Sequence, residues 1–176
     1  KLFIDEILKA GVVIQKSKSR FLRIKKRIEI KNDGKLISIS PNKSNDLEVN
    51  FKLRYKNKII GDQDFKYIHT NSHYLKIYDC RTFCLQEDLE KIFAMGLGKG
   101  GSLDNAIIVS GEKVLNQDGL RYRDEFVRHK VLDCVGDLYL SGYKIIGKIY
   151  GYQSGHEMTA MLLKEIFKKK NNYEII

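Results

Sequence analysis

"DEFVRHKVLDCVGDLYLSG" (Asp124–Gly142) reads as one amphipathic helix ended by glycine. At roughly 100° per residue, Val127, Val131, Cys134, Val135, Leu138 and Tyr139 share one side, while His129, Lys130, Asp133 and Asp137 fall within about a quarter of the circumference on the other. Downstream, "KIIGKIYGYQ" reads as a strand and "HEMTAMLLKEIFKK" as a helix, with His156 at their junction. Upstream, "RTFCL" as a strand, "QEDLEKIFAMG" as a helix ending at Gly96, the loop "GLGKGGS" and the apolar strand "NAIIVS" make a β-α-β unit.

Nearer the start, "LFIDEILKAG" predicts a short helix stopped at Gly11, with Leu2, Ile4, Ile7 and Leu8 as its apolar positions. "RFLRIKKRIEI", "KNDGK" and "LISISP" predict a β-hairpin turning at Asn32-Asp33-Gly34, residues tolerant of positive φ. "LEVNFKLRY" alternates as a further strand with Leu47, Val49, Phe51, Leu53 and Tyr55 on one face. "NSHYLKIYDC" (Asn71–Cys80) predicts a brief helix capped by Asn71 or Ser72. Pro41 is the only proline and no Ser/Pro-rich linker divides the chain, so residues 1–176 read as one α+β domain.

The composition bounds what such a domain does. With 176 residues and 43% hydrophobic content the chain is long enough to bury a core. No apolar run approaches the roughly 20 residues that cross a bilayer, and no signal peptide is recognisable, which points to a soluble, cytoplasmic protein. The first residue is Lys1, so the sequence is expected to begin inside a longer reading frame or after processing. Cys80, Cys84 and Cys134 are an odd number with no CxxC pair, and read as reduced thiols. The net charge of +10 suits an anionic partner. It is spread over separate runs, Lys16–Arg27, Lys52–Lys58 and Lys164–Lys170, the pattern of a solvated surface, and no nucleic-acid-binding motif accompanies it. The Gly96–Gly101 loop follows a helix, the wrong order for a dinucleotide or P-loop cradle, and reads as a turn.

The polar stripe is the chemical signal. His129 and Asp133, at i and i+4, sit side by side on a helix, which suits either a surface ion pair or two ligands of one metal. Asp137 points the same way one turn on and is placed to hold a histidine from elsewhere in one tautomer. His156 suits either that role or a helix cap. His69 and His73 have no carboxylate at ligand spacing. Two ligands do not close a catalytic zinc site, which normally has three and an open position for water.

"VLNQDGLRYRDEFVRHKVLDCVGDLYLSG" (Val114–Gly142) followed by "GYQSGHEMTAMLL" (Gly151–Leu163) resembles the C-terminal half of the UDP-3-O-acyl-N-acetylglucosamine deacetylases, zinc hydrolases of lipid A biosynthesis. "RTF" (Arg81–Phe83) and "GLGKGGSLDNAIIV" (Gly96–Val109) match the family pattern in the same order. The resemblance implies a two-layer sandwich of a small, mainly antiparallel sheet against helices, with an inserted β-α-β unit at about 81–109 forming an apolar passage for the substrate's acyl chain. It further implies that His129 and Asp133 are ligands of Zn2+, that Lys130 contacts the substrate, and that Asp137 orients His156, which stabilises or protonates the reacting centre. Thr82, Phe83 and Tyr55 would line the substrate site. The implied reaction removes the N-acetyl group from UDP-3-O-acyl-N-acetylglucosamine. In the family a glutamate and adjacent histidine of an N-terminal half supply the general base and third ligand. No corresponding motif occurs in this sequence, so the N-terminal domain is expected to be absent and the isolated chain inactive. Cys84 departs from the glycine usual after "RTF", and "HEMTAM" from the small and amide residues usual after the histidine. The alternative is a noncatalytic basic module binding UDP-like ligands, nucleic acid or an acidic partner; no nucleic acid is expected on the deacetylase reading.

Overall fold

The computed structural model describes residues 2–70 and 73–176, apart from the side chains of residues 2, 73 and 74. In chain order the elements are α1 (Leu2–Ala10), β1 (Phe21–Ile24), β2 (Ile28–Asn32), β3 (Lys35–Ser40), β4 (Leu47–Arg54), β5 (Asp62–His69), β6 (Thr82–Leu85), α2 (Leu89–Ala94), β7 (Ala106–Ser110), β8 (Lys113–Val114), α3 (Glu125–Leu138), β9 (Lys144–Tyr152), α4 (His156–Phe167) and β10 (Tyr173–Ile175).

The main sheet is organised around β9. Its later residues pair on both sides, antiparallel to β3 from Leu36↔Tyr152 to Ser40↔Lys148 and parallel to β4 from Leu47↔Gly147 to Lys52↔Tyr152. Its first residues run parallel to β1, which pairs antiparallel to β10 on its other edge. β2 extends the sheet beyond β3 and β5 beyond β4, both antiparallel. Mainly antiparallel pairing, as expected, is what the seven strands show.

Alternation places the core. Leu47, Val49, Phe51 and Leu53 of β4 are buried while the residues between them are half-exposed, and α3 and α4 lie across the same face. α3 contributes Val127, Val131, Cys134, Val135 and Leu138, and α4 contributes Met158, Leu162, Leu163 and Ile166. Layer packing of this kind buries one face of the sheet and one stripe of each helix. Close approach explains Gly151 of β9: a Cβ there would lie 2.5 Å from the Phe51 ring on the adjacent strand, so only glycine lets that ring cross the sheet. A second, three-stranded sheet has β7 in the middle, parallel to β6 and antiparallel to β8, with α2 in the crossover. This is the β-α-β unit expected at 81–109.

Four local expectations are corrected. The predicted hairpin is interrupted at residues 25–27: β2 and β3 form it, turning at Asp33 (φ 46°) and Gly34 (φ 72°), while β1 is a separate strand. α1 forms and ends before Gly11, but Ile7 and Leu8 are each 62% exposed, so its apolar side is not packed into this core. Tyr139, placed on the buried side of the Asp124–Gly142 helix, is 51% exposed, because α3 ends at Leu138 and tightens into a 3-10 turn that abandons the α-helical spacing. Within Asn71–Cys80 the regular structure is a 3-10 turn, His73–Lys76; its proposed caps, Asn71 and Ser72, lie outside the described residues.

Candidate active site

The polar stripe of α3 meets the start of α4 and the start of β6. His129 and Asp133 are adjacent turns of one helix, and His129 Nε2 lies 3.1 Å from Asp133 Oδ1. The other ring nitrogen, Nδ1, lies 3.0 Å from the Cys80 carbonyl oxygen. A carbonyl only accepts, so Nδ1 carries a proton, and the Nε2 contact is a hydrogen bond to Asp133 only when Nε2 is protonated as well; without that proton Nε2 offers a lone pair to a cation beside Asp133. Lys130 Nζ stands 3.6 Å from Asp133 Oδ2 and over the Phe83 ring at 5.9 Å from its centroid.

His156, the first residue of α4, reaches back to the same helix. Its Nδ1 is 2.9 Å from both oxygens of Asp137, and its Nε2 is 3.7 Å from Asp133 Oδ2. Asp133 is therefore faced by two imidazoles and one ammonium. Burial pushes its carboxyl up, but the His129 hydrogen bond and the charges of His129, Lys130 and His156 outweigh that, and its pKa lies below the ordinary carboxylate value. His156 remains 67% exposed, which suits a group that meets a ligand.

Beside this cluster opens a cavity of about 830 Å³, whose lining includes His156, Thr82, Phe83 and the apolar Leu89, Phe93 and Leu103 of the β-α-β unit. The Gly-rich loop forms part of its wall, turning at Gly96 (φ 72°) and Gly98 (φ 71°). Tyr55 packs edge-on to Phe83 at 6.1 Å between centroids and lines a smaller recess shared with Phe83 and Cys84. The structure thus brings His129, Lys130, Asp133, Asp137 and His156 together, with Thr82 and Phe83 next to them and Tyr55 one layer behind. His69 belongs elsewhere, bonded between the Tyr67 and Tyr139 hydroxyls at 3.0 Å each. The His73 side chain lies outside the described residues.

All three cysteines are free. Burial and then the Asp79 charge push the Cys80 thiol up to about 12, and burial raises those of Cys84 and Cys134 as well, so none is an activated nucleophile.

The sequence reading missed the groups behind His129. The buried Glu125 carboxylate accepts from the Arg81 backbone amide and Nε, each at 3.0 Å, and from the Arg121 amide. Arg81 also reaches Asp118 and the Gly119 carbonyl. Arg81 stood in the "RTF" stretch, but nothing in the spacing linked it to Glu125, 44 residues away.

His129 Nε2 and Asp133 Oδ1 converge, and the carbonyl behind Nδ1 is the backing that a histidine ligand ordinarily has. They fit zinc as two of its ligands. Among the described residues no group of three or more His, Cys, Asp or Glu is placed to hold a metal ion.

Comparison with known proteins identifies the family of the chain. The family model of LpxC, UDP-3-O-acyl N-acetylglycosamine deacetylase, matches residues 1–168. The chain is 36% identical over 176 residues to a UDP-3-O-acyl-N-acetylglucosamine deacetylase of Campylobacter jejuni, covering 99% of this chain and 58% of the relative. It is 38% identical over 178 residues to one from Psychrobacter cryohalolentis, covering 99% and 55%. A protein of the same name from Alcanivorax borkumensis is 36% identical over 180 residues, covering 99% and 58%. The chain thus spans little more than half the length of the curated relatives it matches. On the family match and these identities together, the chain belongs to the UDP-3-O-acyl N-acetylglycosamine deacetylase family.

Proposed function

We propose that this chain is the C-terminal half of a zinc-dependent, cytoplasmic deacetylase that removes the N-acetyl group from UDP-3-O-acyl-N-acetylglucosamine, with residues 81–109 as the inserted unit that receives the acyl chain. The observation that carries the reading is the convergence of His129, Lys130 and His156 on Asp133 at the mouth of an apolar cavity. A hydrolase acting on an amphiphilic sugar needs this juxtaposition of a polar reacting centre with an apolar tunnel. The relatives' names supply the substrate, and their greater length supplies room for the third ligand and the general base outside these 176 residues.

His129 and Asp133 would hold the zinc. When bound, zinc supplies a water acidic enough to act as hydroxide near neutral pH. Asp137 accepts a hydrogen bond from the Nδ1–H of His156 and fixes its ring, so that Nε2 faces the reacting centre. In its protonated form His156 stabilises the oxygen that gains charge as the acetamide carbonyl is attacked, and it gives its proton to the departing amine. Lys130, held between Asp133 and the Phe83 ring, presents a cation where the sugar nucleotide joins the acyl chain. Thr82 and Phe83 guide that chain into the cavity.

The test uses this chain joined to the remainder of the longer protein, with deacetylation and bound zinc measured on the same preparations. His129→Ala and Asp133→Ala are expected to lose metal and activity together. His156→Ala is expected to keep zinc and lose roughly 10²- to 10⁴-fold in turnover. Asp137→Ala acts through His156, so the double variant falls little below the weaker single one. Full activity in His156→Ala with loss of zinc in Asp137→Ala would overturn these roles.

A further inference from the structure

We infer that Glu125 is a positioning residue for the His129 ring, acting through the peptide group between Cys80 and Arg81. The two residues lie one turn apart on α3 and grip the same peptide plane from opposite ends. Its N–H, that of Arg81, donates to Glu125 Oε1 at 3.0 Å, and its carbonyl, that of Cys80, accepts from His129 Nδ1 at 3.0 Å. Glu125 has no solvent exposure and Cys80 and Arg81 are 5% and 4% exposed, so water does not compete for either bond.

A carboxylate on the N–H of an amide draws electron density toward the carbonyl oxygen and makes it a stronger acceptor. The stronger acceptor binds the Nδ1 proton more tightly, fixes the ring in one tautomer, and makes Nε2 a better electron-pair donor toward a cation beside Asp133. Three further contacts immobilise the segment that carries this peptide. Arg128 Nη1 donates to the Lys76 carbonyl at 2.9 Å, with its guanidinium between the Phe65 and Tyr122 rings. The Tyr122 hydroxyl donates to Asp79 Oδ1 at 3.0 Å, and Arg121 reaches the Asp79 carbonyl. The peptide is thus held in place whether or not a ligand is present, so the ring orientation is set in advance of binding. The metal part of the inference rests on the zinc reading above; the tautomer part does not.

The test compares two variants of the whole chain by nitrogen NMR of the His129 ring without metal and by zinc titration. Arg81→Met removes the cation but leaves Glu125 on the residue-81 amide. It is expected to keep the single Nδ1–H form and zinc affinity within about threefold of the unaltered chain, a shift under about 1 kcal/mol. Arg81→Met/Glu125→Leu exchanges the pair for apolar side chains, which buried ion-pair sites tolerate, and removes the acceptor. Mixed tautomers and a loss of about 10- to 100-fold in zinc affinity are expected there. Glu125→Gln, which keeps the shape without the charge, gives the same comparison if the double variant does not fold. Unchanged ring signals in the Glu125 variants overturn the inference. So does an Arg81→Met chain whose ring signals change as much as theirs, since that marks a purely structural role. Zinc binding that fails in every chain, while the ring signals behave as expected, counts against the zinc reading and supports the positioning role.

Discussion

Replacing Arg81 with Met tests the buried ion pair that fixes the β-α-β unit to α3. The Arg81 side chain is 3% exposed and the Glu125 side chain 0%, with Nε and Nη2 at 3.0 and 3.2 Å from the two carboxylate oxygens. Its other carboxylate partner, Asp118, is 61% exposed and adds little. Removing one member of a buried pair leaves the other charged and dry, which costs about 3–5 kcal/mol. The amides of residues 81 and 121 still solvate Glu125 in the variant, and Met fills much of the arginine's volume, so the lower half of that range is expected, about 3–4 kcal/mol at pH 7. Against a total stability of order 5–15 kcal/mol this is a large fraction.

The pH dependence separates an electrostatic loss from a packing loss. Burial pushes the Glu125 carboxyl up, but hydrogen bonds from Arg81 and the Arg121 amide bring it below its ordinary value. In the unaltered chain Glu125 therefore stabilises the fold above the ordinary carboxylate pKa, and this contribution disappears as pH falls through the depressed folded value. In Arg81→Met burial is no longer offset by the guanidinium, the folded pKa rises, and protonation relieves the variant as pH falls. Urea unfolding of both chains between pH 7 and pH 4 should show midpoints that converge toward acid. A loss below about 1 kcal/mol at pH 7, or a gap that widens toward acid, would refute the reasoning.

Three more outcomes are expected. Dialysed preparations of this chain alone should carry well under one zinc per chain by elemental analysis, because the proposed ligands His129 and Asp133 number two where catalytic sites use three; stoichiometric zinc that resists chelators would show that a further residue completes the site. Gly151→Ala should lower stability by about 1–3 kcal/mol in chemical denaturation, since its Cβ would meet the Phe51 ring at 2.5 Å; an unchanged midpoint would mean that the ring has room to move. On the proposed deacetylase reading, with this chain joined to the proposed N-terminal half, Ala106→Phe should fill part of the apolar cavity and raise KM for long acyl chains more than for short ones.

Much of the frame was legible because it rests on periodicity. The buried side of α3 from Val127 to Leu138 follows from helical spacing, and β4 from strict alternation. The misses have physical causes. β5 was not picked out: it pairs only with β4, and its burial is graded, with exposed Asp62, Asp64 and Lys66 between partly or fully buried Gln63, Phe65 and Tyr67. β10 has three residues, too few for a period to register. The break between β1 and β2 is set by where the chain finds partners: β1 pairs with β9 and β10, contacts made with the far end of the sequence. The α3 site residues shared one stripe in the sequence. The support behind His129 was not readable, because its contact is a backbone carbonyl that any residue at position 80 supplies.

Two aspartates four residues apart on one helix acquire different work from what faces each of them. Successive turns stand about 5–6 Å apart, and the His156 ring lies across that step with Nδ1 on Asp137 at 2.9 Å and Nε2 toward Asp133 at 3.7 Å. The short contact fixes the ring, while the longer one leaves Nε2 open to a competitor. Asp133 in turn has His129 at 3.1 Å and Lys130 at 3.6 Å, so a cation beside His129 and an anion beside His156 would each replace an interaction already present. The cluster thus already surrounds Asp133 with groups of its own chain, in the positions that the charges of a ligand would take over on the proposed reading. Its charges are already oriented, and their arrangement costs little reorganisation when a ligand arrives.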